Sequence, residues 1–318
     1  MSKRKDSAYT NGVIAVREKK LLKDKLVRMC SASGEEALRI LLDSGFGGDP
    51  SLGVEELILA DEREIDAFIR EYAPSDEVEE YLLAPRDFHN AKAIVKARYL
   101  GTDPAPMLGG DGIFSAEEMV RLIGTGNTEK LGKELSAAIK EAQTLLEGEN
   151  PSGAEVGILF DKAQFDCLSR VLKKFGVCRK LLVRRADMTN LLTCFRAGNI
   201  EEAEKFFVSG GEITREKLAS AYGDKDAVIK AFEKTDYREF VKKLCSSECG
   251  GFTEAEKMLE SFEIDFFAEK PYELSGQGNF LYYIFRRRAE NENVRIAFVC
   301  LRAGLSEAEI KKRLRGNI

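Results

Sequence analysis

The chain has 318 residues, 44% of them hydrophobic and 32% charged, with a formal net charge of −5. That is ample for a large buried core and for more than one domain. A single histidine, no tryptophan and seven scattered cysteines argue against histidine chemistry, a metal centre or a disulfide framework, and for a reducing, cytoplasmic setting.

No signal peptide is read at the start, and no apolar run approaches the ~18 residues of a membrane span. The longest, 280–285 and 296–301, hold six residues each. The net charge hides an asymmetry. Residues 1–28 carry nine bases against three acids, 35–84 three bases against fifteen acids, and 286–318 nine bases against four acids. Two oppositely charged docking surfaces are therefore an expectation beside the plainer reading of solvated helix faces. Charge reversal of several acids in 35–84 that left all assembly intact would remove it.

In chain order, 9–30 reads as one long basic helix with Val13, Val16, Leu21, Leu22 and Leu26 as its apolar stripe. A short helix follows over 35–42, ended by the glycines at 45, 47 and 48, and a third spans 54–72. A fourth starts at Asp76. The next begins at Asp87, with Asp87 as N-cap and Asn90 reaching back as in a capping box, and ends at Gly101. Ser115 and Glu118 cap a short helix over 119–123. Amphipathic helices cover 128–146 and 155–175, another spans 181–198, and shorter ones lie at 200–208, 214–222 and 224–232. Helices over 254–267 and 279–304 lead to a last one over 306–314, capped by Ser306 and Glu309. No segment alternates as strands do. The fold class is all-α.

One pattern recurs along this series: an asparagine followed by basic residues six and eight positions on. Asn11 leads to Arg17 and Lys19, Asn90 to Lys96 and Arg98, and Asn190 to Arg196, while Asn293 with Arg295 is a looser copy. Asp87 and Asp187 each stand three residues before their asparagine. Positions three, four and seven after the asparagine share its face. They are Ala93, Ile94 and Ala97 in one copy, Thr193, Cys194 and Ala197 in the next, and Ile296, Ala297 and Cys300 in the last. Such faces permit close helix approach, and a buried amide on them is expected to fix helix pairing. The flanking bases are expected to lie along the face with their heads in water.

Asp87-Phe88-His89-Asn90 with Lys92, Lys96 and Arg98 resembles the central motif of the C-subunit family of the V/A-type ATPases, whose eukaryotic member is the d subunit. Tyr9-x-Asn11 with Arg17, Phe160-Asp161-x-x-x-Phe165, the tyrosine-bearing 280–288 stretch running into Glu290-x-x-Asn293-x-Arg295, and the 305–314 tail agree with it in order. The copies are imperfect: Gly198 and Leu301 stand where a second base is expected, with Arg302 one place late. The resemblance implies three similar helical modules (1–84, 85–184 and 185–318) forming a funnel with pseudo-threefold symmetry. It further implies a non-catalytic adaptor, one copy per complex, on the cytoplasmic face of the membrane. Such an adaptor joins the central stalk to the membrane rotor ring and couples ATP hydrolysis or synthesis to H+ or Na+ transport, with no cofactor and no nucleic acid.

Other motifs weigh less. Gly126 to Lys133 has five residues between its glycines, where a phosphate loop needs four, so it reads as a helix start. Gly109, Gly110, Gly112, Gly210 and Gly211 read as turns with positive φ, Cys245 and Cys249 as unconnected small residues, and His89 as a capping or packing side chain. Arg286–Arg288 reads as the solvated face of a core helix. A peripheral, annexin-like membrane binder using Gly124-Thr125-Gly126 as a calcium loop is the main rival. A helical enzyme using Asp87, Asn90, Asp161 and Asp166 is a weaker one.

Overall fold

The computed structural model describes residues 7–22, 24–172, 176–246 and 251–316, and among these every regular element is helical. The helices are α1 (Ser7–Arg17), α2 (Asp24–Cys30), α3 (Gly34–Asp43), α4 (Val54–Tyr72), α5 (Asp76–Leu100), α6 (Ala116–Gly124), α7 (Lys133–Glu147) and α8 (Gly153–Val171). They continue as α9 (Val177–Arg196), α10 (Ile200–Glu204), α11 (Arg215–Ala219), α12 (Lys225–Phe232), α13 (Arg238–Leu244), α14 (Gly251–Glu269), α15 (Gln277–Arg302) and α16 (Glu307–Arg313).

Side-chain caps set many of these starts. Ser33, Ser115, Ser152, Asn199 and Thr214 each accept the backbone N–H three residues on, and Ser306 does so with Glu309 bonding back to it. Each cap contributes about 1 kcal/mol by satisfying an N–H that the helix leaves open. In α4 the cap is a glycine, and the Glu56 carboxylate accepts the Gly53 N–H at 2.8 Å instead.

The chain divides into two compact units, one of residues 1–78 with 260–318 and one of 79–259, with both boundaries inside helices, α5 and α14. In the first, Leu22 ahead of α2, Leu26 and Met29 of α2, Leu41 of α3 and Leu57 and Ile58 of α4 close around Val294 and Phe298 of α15. A smaller cluster joins Cys30, Ala297 and Cys300 to Ile310 and Leu314 at the C-terminal helix. In the second, Phe88, Ile94 and Val95 of α5 pack on Met119 and Leu122 of α6, Leu135 and Ile139 of α7 and Val156 and Phe160 of α8. Each such side chain contributes about 1.5–3 kcal/mol on burial.

Several sequence expectations need correction. The 9–30 helix is broken: α1 ends at Arg17, a 3-10 turn follows, and Leu21 turns extended at φ −61°, ψ 140°. The break lets Leu21 and Leu22 both enter the core, while Val16 of the expected stripe is exposed. The segment 76–100 is one helix, not two, and passes through Pro85. An interior proline costs about 3 kcal/mol, and the buried Leu82, Leu83, Ala84 and Phe88 around it supply the offsetting packing. Asp87 and Asn90 are therefore mid-helix and cap nothing. The 128–146 helix is a 3-10 turn (Thr128–Leu131) and then α7, separated by Gly132 at φ 90°. Among the described residues α13 is an element that hydropathy did not announce, while the end of the 155–175 helix lies partly outside them.

Candidate functional site

Three of the four repeated asparagines do the same thing, and it is not helix pairing. The Asn90 amide donates to the Gly110 carbonyl at 2.7 Å and accepts the Gly109 N–H at 2.8 Å. Asn190 donates to the Val208 carbonyl at 3.0 Å and accepts the Val208 N–H at 2.9 Å. Asn293 treats Arg315 alike, at 3.0 and 2.7 Å. Each buried amide thus holds, by donor and acceptor together, a backbone segment 18 to 22 residues further along. Both halves of the amide are satisfied, which is the condition for burying it without a penalty of about 1–3 kcal/mol. Asn11 alone meets another helix: its carbonyl accepts from the Asn279 amide at 3.0 Å.

The acid three residues earlier completes the strap. Asp87 accepts the N–H groups of Ile113 and Phe114 at 3.0 and 3.2 Å. Asp187 accepts those of Glu212 and Ile213 at 2.8 and 2.9 Å, and the Tyr237 hydroxyl at 2.6 Å. In both copies the donors directly precede the N-cap of the next helix, Ser115 or Thr214. The carboxylate so fixes where that helix starts. Burial pushes the Asp187 carboxyl up, against the pull of these three donors.

Glycine is needed at the crossing. A Cβ on Gly112 would stand 2.1 Å from an Asp87 carboxylate oxygen, and one on Gly211 2.5 Å from the corresponding oxygen of Asp187. The requirement at both is closeness; positive φ belongs to Gly110 and Gly210. Glu290 occupies the same place before Asn293, and it accepts the Leu22 N–H at 2.8 Å, just ahead of α2. The sequence motif left Glu290 without a role, although its spacing from Asn293, the same as Asp87 to Asn90, was the available signal.

Most of the basic positions are hydrogen-bonded or paired within the chain, with Arg98 and Arg196 still exposed to solvent as expected. Arg17 pairs with Glu64 at 2.7 Å and lies 4.6 Å over the Phe68 ring. Arg98 donates to the Ile123 carbonyl at 2.7 Å, in the last turn of α6, where that oxygen also accepts the Gly126 N–H at 3.3 Å. Arg196 pairs with Glu256, and Arg295 with Glu55 at 3.0 Å, Glu62 at 3.5 Å and Glu292 at 3.2 Å. Lys96 is the exception: half-buried on α5, with Lys92 and Asp161 as its electrostatic neighbours. His89 approaches the Met107 carbonyl at 3.1 Å and packs on Gly109, so it is a packing side chain and not a cap.

Arg287 overturns the reading of 286–288 as a solvated face. It is buried, pairs with the equally buried Asp61, and donates to the Tyr283 hydroxyl at 3.3 Å. Burial pushes the Asp61 carboxyl up and the guanidinium beside it pulls it down. Acids 55, 61, 62 and 64 of the acidic stretch are thus engaged within the chain. Next to Asn293, a cleft of about 180 Å³ is lined by Asp24, Tyr282, Arg286, Glu290 and Arg315 among others. Cys249 lies outside the described residues. Among the described ones no group of three or more His, Cys, Asp or Glu side chains is placed to hold a metal, and no helix is long and apolar enough to cross a membrane.

The strapped helices, with their fixed order along the chain, can be set beside known proteins. The model of the ATP synthase (C/AC39) subunit family matches residues 10–313. The chain belongs to this family, the C-subunit family of the V/A-type ATPases. Every strap named above except the last contact of Asn293, at Arg315, falls inside the matched span. The C subunit of the V-type sodium ATPase of Enterococcus hirae is 24% identical over 324 residues, covering 96% of this chain and 97% of that protein. Membership makes the chain a rotary ATPase subunit.

Proposed function

We propose that the chain is the non-catalytic adaptor of the central rotor, joining the stalk to the membrane rotor ring of a V/A-type ATPase. The observation that supports this reading most is the family match over nearly the whole chain, 10–313, on a body with no membrane-spanning helix among the described residues. An adaptor of this kind transmits torque and lowers no chemical barrier. What it needs is stiffness, and the straps at Asp87/Asn90 and Asp187/Asn190 supply it locally, by tying each helix to the loop that starts the next.

In this reading the body comprises three modules, 1–84, 85–184 and 185–318, arranged as a funnel with pseudo-threefold symmetry. It sits once per complex on the cytoplasmic face of the membrane and couples ATP hydrolysis or synthesis to H+ or Na+ movement. Asn11, Asn90, Asn190 and Asn293, with Asp87 and Asp187, serve as its structural motif. Arg17, Lys96, Arg98, Arg196 and Arg295 serve with them. The two charged docking surfaces, the acidic 35–84 and the basic termini, belong to this reading, with acids 55, 61, 62 and 64 already taken up within the chain by Arg17, Arg287 and Arg295.

The test is affinity recovery of the tagged chain from detergent-solubilised membranes of its source, with mass spectrometry of what comes with it. Catalytic, stalk and ring subunits are expected together. Clean recovery without them, from cells that make the complex, would sink the reading.

A further inference from the structure

Three copies of the motif place a basic residue six positions after the asparagine, and two of these are neutralised inside the chain. Arg17 has Glu64 at 2.7 Å. Arg196 has Glu256, on the 19-residue α14. The third, Lys96, lies beside the 19-residue α8, its ammonium 4.0 Å from where a Cβ on Gly157 would stand. Gly157 is fifth in α8, and Glu256 is sixth in α14. Beside Lys96 this early turn of α8 offers a glycine without a side chain, where the early turn of α14 offers Arg196 a glutamate.

The one acid nearby is already engaged. Asp161 pairs with Lys92 at 3.1 Å. Among the described residues no carboxylate stands within ion-pair distance of Lys96. Two ammonium groups thus share one carboxylate, leaving one positive charge in excess. Burial and the neighbouring Lys92 hold the Lys96 ammonium below its ordinary range, with Asp161 pulling the other way. A half-desolvated, uncompensated ammonium is unfavourable in the isolated chain, and an incoming anion relieves it.

We propose that Lys96, with Lys92 beside it, is a docking point for an aspartate or glutamate side chain of another subunit of the complex. The inference rests on the reading of this chain as a rotary ATPase subunit and deepens it. The excess is a single charge, set over a glycine backbone and flanked by Asp161. One carboxylate neutralises that charge, whereas a doubly charged phosphate or a densely anionic lipid surface would leave surplus negative charge beside Asp161. The docked carboxylate would pair with Lys96 as Glu64 pairs with Arg17 and Glu256 with Arg196.

The experiment compares amine acetylation of the isolated chain with that of the purified complex, and adds zero-length carbodiimide coupling, both read by mass spectrometry. Lys96 is expected to label in the isolated chain, to lose labelling in the complex, and to yield an isopeptide link to an acid of another subunit. The Lys92–Asp161 link serves as the internal control. Lys96→Glu should weaken recovery of the complex, with Lys96→Arg restoring it and thermal melts of both matching the parent.

Lys96 labelling equally in chain and complex overturns the inference while the rotary reading stands. Protection by phosphatidylserine vesicles but not by the other subunits overturns it in favour of lipid. Recovery of the chain without any rotary partner removes both.

Discussion

The loops after Asn90 and Asn190 differ in most residues, yet the same two side chains fasten them. In one, Gly112-Ile113-Phe114-Ser115 crosses Asp87; in the other, Gly211-Glu212-Ile213-Thr214 crosses Asp187. What the copies share is a glycine with no side chain at the crossing, two backbone N–H groups aimed at the carboxylate, and a hydroxyl that caps the next helix. Where they differ is the base six residues after the asparagine, paired to Glu256 in one and left with Lys92 and Asp161 in the other. Contacts made within 18 to 27 residues are repeated, whereas the 60-residue contact from Arg196 to Glu256 has no counterpart at Lys96. Local straps are a module's own property. Long-range ion pairs depend on what happens to lie opposite.

The largest effect that would break this comparison is removal of the carboxylates. Asp187→Ala strands two backbone donors and the Tyr237 hydroxyl in a buried site, and should cost about 3–5 kcal/mol in urea denaturation. Asp87→Ala, which strands the N–H groups of Ile113 and Phe114, should cost about 2–4 kcal/mol; wild-type stability there would show that the carboxylate adds nothing to the strap. Next come the crossings. Gly112→Ala and Gly211→Ala drive a methyl into the Asp oxygens and should each cost about 1–3 kcal/mol, with the N–H groups of 113–114 or 212–213, released from the carboxylate, showing faster hydrogen exchange. Wild-type exchange in either variant would contradict the close approach.

A third, smaller effect concerns alkaline pH. Burial and the Asp187 carboxylate push the Tyr237 hydroxyl far above its ordinary value of 10.0. A hydroxyl whose folded value is raised binds its proton more tightly when folded. Its contribution is complete below the unfolded value and is lost as pH rises above it. Melting temperature should therefore fall on passing from about pH 8 to about pH 11, and fall less in Tyr237→Phe. Parallel curves for the two proteins would place the tyrosine outside the strap.

The smallest effects belong to the bases. Arg196→Met removes an exposed pair and should cost under about 1 kcal/mol. Lys96→Met in the isolated chain should be neutral or slightly stabilising, because it removes an ammonium that burial and Lys92 disfavour. A clear loss of stability there would show that Lys96 already has what Arg196 has.

Much of this was open to reading from residue order. The all-α class, α3 and α4, α6 and α16 with their serine caps, and the repeated Asn positions follow from periodicity and from polar residues before apolar runs, which act over a few neighbours. The spacing of Asp87 to Asn90 was visible too, and suggested a capping box. That was wrong for a physical reason: whether an acid caps its own helix or straps a loop depends on whether the helix has already begun. Packing of Leu82, Leu83, Ala84 and Phe88 carries α5 through Pro85, and local rules do not weigh such packing.

The sequence by itself determined the all-α class, most of the helices, the serine caps of α6 and α16 and the repeat, because these are set by residues within a turn or two of one another. Only the tertiary structure decided the break after Arg17, the burial of Arg287 on Asp61, the loops held by Asn90, Asn190 and Asn293, and the contrast between Arg196 and Lys96. Each of those depends on which group stands opposite across 18 to 226 residues of chain, and burial and pairing energies belong to that meeting rather than to either residue alone.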